Sequence, residues 1–145
     1  ALPISAHRLQ STETSAADAD KGDVFILAPN DGTARAIADA FGSDAAVTSY
    51  LVTGQDAEIA SVQYIIDGKQ SMTVFKDVRT LVKDSIDMAV ALLSGGTPDT
   101  TGSYNNGKID VKAKQTEVIV VDKENVKAEL VDSGYYKAEE FTGLE

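Results

Sequence analysis

Three short stretches place hydrogen-bonding side chains directly after an apolar run: "PND" at 29–31, "GQD" at 54–56 and "FKD" at 75–77. Asn30 and Gln55 offer amides that both donate and accept. Asp31, Asp56 and Asp77 offer carboxylates that accept, and Lys76 offers an ammonium that donates. That mixture suits a neutral polyol, because every hydroxyl is donor and acceptor at once. The plainer role for Asp or Asn ahead of a helix is an N-cap, worth about 1 kcal/mol. Capping by Asp31 or Thr33 accounts for the helix start after Gly32, and Asp77 can cap in the same way. Asn30 comes one residue early for that role. Lys76 opposes the dipole of a helix that begins beside it, so it calls for another partner, either Asp56 or a ligand.

Other chemistries are poorly supplied. The single histidine, His7, lies in a weakly patterned N-terminal segment, and there is no cysteine. Disulfides, thiolate zinc sites and cysteine nucleophiles are thereby excluded, and neither a metal site nor a catalytic histidine is expected. "PNDGTA" is not a dinucleotide-binding loop, and neither a P-loop nor a G-x-S-x-G elbow occurs. No cofactor is expected. A formal net charge of −10 argues against nucleic acid and against anionic membrane surfaces, both of which need a basic footprint.

The elements that must position these groups can be read from periodicity. The 145 residues, 43% of them hydrophobic, are about one domain's worth with room for a core. "DVFILA" from Asp23 is a continuous apolar run of the kind buried on both faces of a parallel sheet. In "TARAIADAF", Ala34, Ile37, Ala38 and Phe41 fall on one helical face, which Gly42 ends. The unit repeats. A strand at 47–54 is followed by a helix at 56–67, a strand at 70–75, and a long helix at 77–96 that Gly95-Gly96 stops. The buried stripe expected for this helix is Val78, Leu81, Val82, Ser85, Ala89, Leu92 and Leu93. Such alternation predicts an α/β fold with a mostly parallel sheet and flanking helices. Beyond Gly96 the chain is turn-rich, with a tight turn at Asn105-Asn106-Gly107. A strand at 116–121 and a short helix at 123–134 follow. Phe25, Phe41 and Phe75 read as core rather than as stacking platforms, and Tyr135-Tyr136 as packing of the chain's end. Residues 1–21 read as a frayed helix, disorder or a tag-derived lead. No apolar run approaches the ~18 residues of a membrane span. No signal peptide is visible, so the expectation is that a targeting segment has been removed or that the native N-terminus lies elsewhere.

In open α/β sheets, ligands bind beyond the carboxyl ends of the strands, which is where the three polar stretches lie. The segments "LAPNDGTARAIADAF", "VTGQDAEIASVQYIIDGKQSMTVFKD", "SYNNGK" and "VDKENVKAELVDSGYYKAEEF" resemble the C-terminal part of bacterial periplasmic sugar-binding proteins. The resemblance is to the xylose-binding and multiple-sugar-binding branch of ABC-importer solute receptors, with the type I periplasmic-binding-protein fold. It runs from about Gly22 to Phe141, and "TGQDAE…DGKQ.MTVFKD" is its specific motif.

The resemblance implies two α/β lobes joined by a hinge, with a monosaccharide between them and no reaction. It places ligand contacts at Asn30, Asp56 and Lys76. Asp56 would accept two hydroxyl hydrogen bonds, Asn30 would serve one or two more hydroxyls, and Lys76 would donate and balance Asp56. Asp31 and Gln55 would support them from behind. Family members are more than twice as long, so this chain is expected to carry half a site. Residues 22–76 would be part of the C-terminal lobe. The helix in 77–100 would pack on the missing N-terminal lobe, and 101–145 would supply hinge, strand, helix and tail. The missing lobe takes with it the aromatic and arginine positions that hold the sugar, and this chain has no tryptophan. Residues before Asp23 depart from the family helix. Alone, the long helix would expose its stripe, so the missing lobe or self-association is expected to cover it.

The partners implied are a monosaccharide (xylose, glucose, galactose or arabinose), an ABC permease, and a chemoreceptor or sensor kinase. The location implied is the periplasm or, with a lipid anchor, the cell surface. Two alternatives share some features. An effector-binding domain of a sugar-responsive transcription regulator has the same lobe architecture, but nothing basic in residues 1–21 supplies a DNA-binding head. A receiver-type signalling domain also needs acidic strand ends and a later lysine. It would, however, require a further βα unit between Asp56 and Lys76.

Overall fold

The computed structural model describes residues 23–144. The readings made for residues 1–21 lie outside the described residues. The chain divides into two compact units, one running to Phe75 and resuming at Ile119, the other Lys76–Val118.

The first unit opens with β1 (Asp23–Ile26), α1 (Asp31–Gly42), β2 (Ser49–Val52), α2 (Ile59–Ile66) and β3 (Thr73–Phe75). It resumes with β6 (Ile119–Val121), a π-helical segment (Lys127–Asp132) and a short 3-10 turn (Ala138–Glu140). β1 and β2 pair in parallel, Asp23 opposite Ser49 and Ile26 opposite Val52. The end of β2 is tied to β3 by a parallel bridge, Gln55 to Val74, with Val74 N–H donating to the Gly54 carbonyl at 3.1 Å. β6 pairs with β3 antiparallel, Thr73 opposite Val121.

The alternation of helix and strand is as expected, but among the described residues the strands form small pairs that are not clearly a mostly parallel sheet. The pairs are β1–β2, which is parallel, β3–β6, which is antiparallel, and an antiparallel hairpin of β4 (Gly102–Asn105) with β5 (Asp110–Ala113). The reason for β3–β6 is topological. β6 returns after the 76–118 excursion and enters against the direction of β3.

Two apolar clusters hold the unit. In the first, Ile26 and Val52 pack against Ala34, Ile37, Ala38 and Phe41 of α1, the helical face that spacing predicts. In the second, Ala57, Val62, Ile66 and Phe75 meet Val121, Val126, Leu130 and Phe141. β1 buries one face only. Ile26 is buried, whereas Phe25 is 77% and Leu27 89% exposed. Burial on both faces and a core role for Phe25 are therefore corrected, because α1 covers a single side of the β1–β2 pair. Phe41 and Phe75 are core as expected.

α2 starts later than the expected 56, because Asp56 and Ala57 have φ of 101° and 51° and lie outside the right-handed helical region. The last helix is also shorter than the 123–134 expected, and it is π-helical.

The second unit holds α3 (Val78–Leu93) and the hairpin β4 (Gly102–Asn105)–β5 (Asp110–Ala113). Asp77 caps α3, its side chain accepting from Arg79 N–H at 2.9 Å, as read from sequence. The hairpin turns through Asn106–Ile109, where Gly107 adopts φ +88° in the Asn-Asn-Gly stretch. Lys114, after β5, pairs with Asp84 of α3 at 3.2 Å and with Asp99 at 2.9 Å. No residue of α3 is buried, so the buried stripe expected from Val78 to Leu93 is corrected: among the described residues no element covers it. Among the described residues, no helix is long and apolar enough to cross a membrane.

Candidate functional site

The loops that follow β1 and β2 are joined directly. Asp31 N–H donates to the Gln55 carbonyl at 2.9 Å. Asn30 and Asp56, each adjoining one end of that bond, are thus held at the same edge of the unit, and both are exposed. Gln55 is half-buried beside them. Lys76 follows β3 directly and opens the second unit, with Asp77 paired to Arg79 at 2.7 Å.

Asn30 is the N-cap of α1. Its Oδ1 accepts Thr33 N–H at 2.9 Å, and its backbone is extended, with φ of −159°. Capping by Asp31 or Thr33 is therefore corrected. Asn30 is not too early, because the helix begins at Asp31. The capping bond uses the acceptor of Asn30. Its NH2 carries two further donors.

Asp31 has a different role. It is 0% exposed. Its Oδ1 accepts from the Thr73 hydroxyl at 2.8 Å and from Gln70 Nε2 at 3.0 Å, and its Oδ2 accepts from Glu58 N–H at 2.8 Å. Burial pushes its pKa up, and the bonds from Gln70, Thr73 and Glu58 oppose the shift. From this position it meets no solvent and acts only on the groups it holds. Gly54 lies against it. A Cβ there would come within 2.1 Å of Asp31 Oδ1 and 2.3 Å of Gln70 Nε2, so only glycine lets the β2 end pass the buried carboxylate.

Asp56 and Ala57 are held in the left-handed region by a ring of bonds. Asp56 N–H donates to Val74 O at 2.9 Å and Ala57 N–H to Thr73 Oγ1 at 3.1 Å. The Tyr136 hydroxyl donates to Ala57 O at 2.7 Å. Glu58 also pairs with Arg35 of α1 at 2.7 Å, and Arg35 donates to Ser61 Oγ at 2.8 Å. Thr73, Gln70, Gly54 and Tyr136 were not singled out from sequence as parts of the site. Nothing local in "GKQSMTVF" marks the two of them, since Gln70 and Thr73 are buried beside exposed Gly68 and Lys69 and half-buried Ser71, Met72 and Val74, and their need for partners shows only once the fold buries them.

What the edge offers is an exposed carboxylate on a constrained backbone beside an exposed amide. Among the described residues, no group of three or more His, Cys, Asp or Glu could hold an ion. A surface cavity of about 460 Å³ is lined by Ile66, Lys123, Val126, Lys127 and Leu144 among others, and takes in none of the strand-end residues.

Residues 9–97 match the periplasmic binding protein domain. The chain is 47% identical over 92 residues to the multiple sugar-binding periplasmic receptor ChvE of Rhizobium radiobacter, covering 62% of this chain and 26% of that protein. It is 32% identical over 115 residues to the D-xylose-binding periplasmic protein of Escherichia coli, covering 79% of this chain and 35% of that one. Among solved structures, a carbohydrate transporter solute-binding protein from Chloroflexus aurantiacus, in complex with D-glucose, superposes with a TM-score of 0.91 at 64% identity, over 97% of this chain and 41% of that one. An ABC transporter solute-binding protein from Clostridium phytofermentans with bound β-D-glucose gives 0.80 at 35% identity, over 97% and 43%. The chain spans less than half the length of each of these relatives, and it belongs to the periplasmic binding protein domain family.

Proposed function

We propose that this chain is part of a solute receptor that binds a monosaccharide and presents it to an ABC importer. The observation that carries the reading is the match over 97% of the chain, at 64% identity, to a carbohydrate transporter solute-binding protein in complex with D-glucose. The strand-end chemistry supports it. In this reading Asp56 accepts two sugar hydroxyls as charge-assisted bonds, and the Asn30 NH2 donates to a neighbouring hydroxyl. Lys76, near the hinge, donates to a hydroxyl or ring oxygen and balances Asp56. Gln55 and Asp31 support these groups from behind. Residues 22–76 form the lobe portion of the site, the helix in 77–100 packs on the lobe absent from this chain, and 101–145 supply hinge and tail.

Glucose and xylose are the first ligands to test, because relatives of this chain carry those names. The protein would act outside the cytoplasm, in the periplasm or held at the surface by a lipid anchor, with a permease as its membrane partner and a chemoreceptor or sensor kinase as a further one. Binding would close two lobes on the sugar by a hinge motion.

Calorimetric titration of the full-length protein with glucose, xylose, galactose and arabinose tests the reading. Saturable binding of at least one is expected. In Asp56→Ala the affinity should fall by roughly a hundredfold, because hydroxyls are left unpaired in a desolvated cleft. An unchanged affinity removes Asp56 from the site. The 145-residue chain alone should bind weakly or not at all, and sub-micromolar affinity from it would sink the half-site argument.

A further inference from the structure

Left-handed backbone at a residue other than glycine costs of order 1–3 kcal/mol and persists only where the surroundings over-determine it. Two such residues stand in succession here, Asp56 and Ala57. Three of the bonds around them come from the sheet edge and its loops: Asp56 N–H to Val74 O, Ala57 N–H to Thr73 Oγ1, and Glu58 N–H to Asp31 Oδ2. The fourth comes from 79 residues away in the chain, where the Tyr136 hydroxyl donates to the Ala57 carbonyl at 2.7 Å.

Tyr136 is well placed to hold that carbonyl. Its ring sits in an edge-to-face row, 4.8 Å from Tyr135 and 5.7 Å from Phe141, and Tyr135 in turn lies 4.6 Å from Phe75. Such contacts fix ring orientation, and with it the direction of the hydroxyl. Burial pushes the phenol up to about 12, so it remains a neutral donor at physiological pH. The plain role of packing the chain's end belongs to the rings. It does not require a hydroxyl, because phenylalanine would pack equally well.

We infer that Tyr136 is a positioning residue for sugar binding: through the Ala57 carbonyl, its hydroxyl holds Asp56 in the left-handed conformation in which the Asp56 carboxylate is presented to the ligand. The inference rests on the receptor reading above and on Asp56 as its hydroxyl acceptor. The tail that follows the π-helical segment thereby becomes part of the binding machinery without touching the sugar.

The test uses the full-length protein and D-glucose, or whichever of the four sugars it binds best. Tyr136→Phe keeps the ring and removes the hydroxyl, and should raise Kd by about 5- to 30-fold, the equivalent of one hydrogen bond. Glycine enters positive φ without steric cost, so adding Ala57→Gly to Tyr136→Phe should restore much of the affinity, even though it removes a buried methyl and lowers the unfolding temperature. A merely structural tyrosine predicts the opposite pattern, with stability lost in both variants and no rescue of affinity, and that result overturns the inference. An unchanged Kd in Tyr136→Phe, with Asp56→Ala still crippling, also overturns it while leaving the site reading intact. If Asp56→Ala binds normally, or no sugar binds the wild type, the receptor site itself is wrong and the inference falls with it.

Discussion

Asp31 Oδ2 accepts the backbone N–H of Glu58 at 2.8 Å, across 27 residues of sequence. The bond ties the first turn of α1 to the strained loop that carries Asp56, and it explains why a carboxylate is tolerated at 0% exposure. Three donors converge on it, from Thr73, Gln70 and Glu58. Removing the carboxylate strands all of them, so Asp31→Ala should destabilise the full-length protein by about 3 kcal/mol, read by denaturant unfolding. Burial raises the folded-state pKa of Asp31 above 3.8, so the folded chain holds this proton to higher pH than the unfolded chain. The proton-linked part of the stability is therefore fully present below pH 3.8 and is lost as pH rises through the folded value, while the bonds from Thr73, Gln70 and Glu58 keep the carboxylate in place above it. Asp31→Asn, which cannot ionise, should flatten that part of the stability profile. A slope identical to wild type would show that Asp31 does not titrate there.

Gly54 depends on the same carboxylate. Gly54→Ala drives a methyl into Asp31 and Gln70, and the cost should reach about 3 kcal/mol, the upper end for overpacking. Gly68 is the contrast. It has φ +77° and open space around it, so Gly68→Ala should cost only about 1 kcal/mol of backbone strain. Equal costs from the two variants, measured by thermal unfolding, would contradict the buried-network account.

Asn30 allows capping and ligand contact to be separated. Asn30→Asp retains the oxygen that accepts Thr33 N–H and adds a negative charge at the N-terminus of α1, which the helix dipole favours. It removes the two NH2 donors. Stability should therefore hold or rise slightly, while sugar affinity in the full-length protein should fall about tenfold. Asn30→Ala should lose both, with about 1 kcal/mol of stability. Full affinity in Asn30→Asp would reduce Asn30 to a cap.

The parts of the fold legible in sequence were those set by local periodicity. Ala34, Ile37, Ala38 and Phe41 repeat at helical spacing and are buried as that spacing requires. The polar strand ends were legible because Asn30, Asp56 and Lys76 break apolar runs. What was not legible depends on pairing between distant segments. Nothing local tells that β6 enters antiparallel to β3, or that β1 is covered on one face and leaves Phe25 bare. The exchange of roles between Asn30 and Asp31 has the same origin. Either residue can cap by local chemistry, and the choice is made by Thr73 and Gln70, some forty positions later, which claim the Asp31 carboxylate.

Tyr136 makes an alkaline prediction. Its phenol is pushed from 10.0 up to about 12 by burial, so the unfolded chain ionises it first as pH rises. The stability it contributes is fully present below pH 10 and is lost as pH rises through about 12. Tyr136→Phe should unfold less steeply across that window than wild type does, with the difference between the two proteins read by circular dichroism. Parallel curves would mean that the phenol is not protected by the fold.

The last prediction concerns α3. Val82, Ile86 and Val90 recur every four residues and are 55%, 58% and 56% exposed, and Leu93 is 89% exposed. A contiguous apolar stripe of this kind is rarely left in water and marks a surface meant to be covered. Lys83 and Asp87 lie along the same helix as an i, i+4 pair, which stabilises it without covering the stripe. The 145-residue chain in isolation should therefore associate with itself, its sedimentation coefficient rising with concentration. Ile86→Lys combined with Val90→Lys should return it to a monomer and leave the helical signal of α3 nearly unchanged, since lysine is a good helix former at an exposed position. In the full-length protein the same pair should destabilise instead, because there the stripe is expected to be buried against the other lobe. A wild-type chain that stays monomeric at high concentration would show that the exposed stripe is not a contact surface.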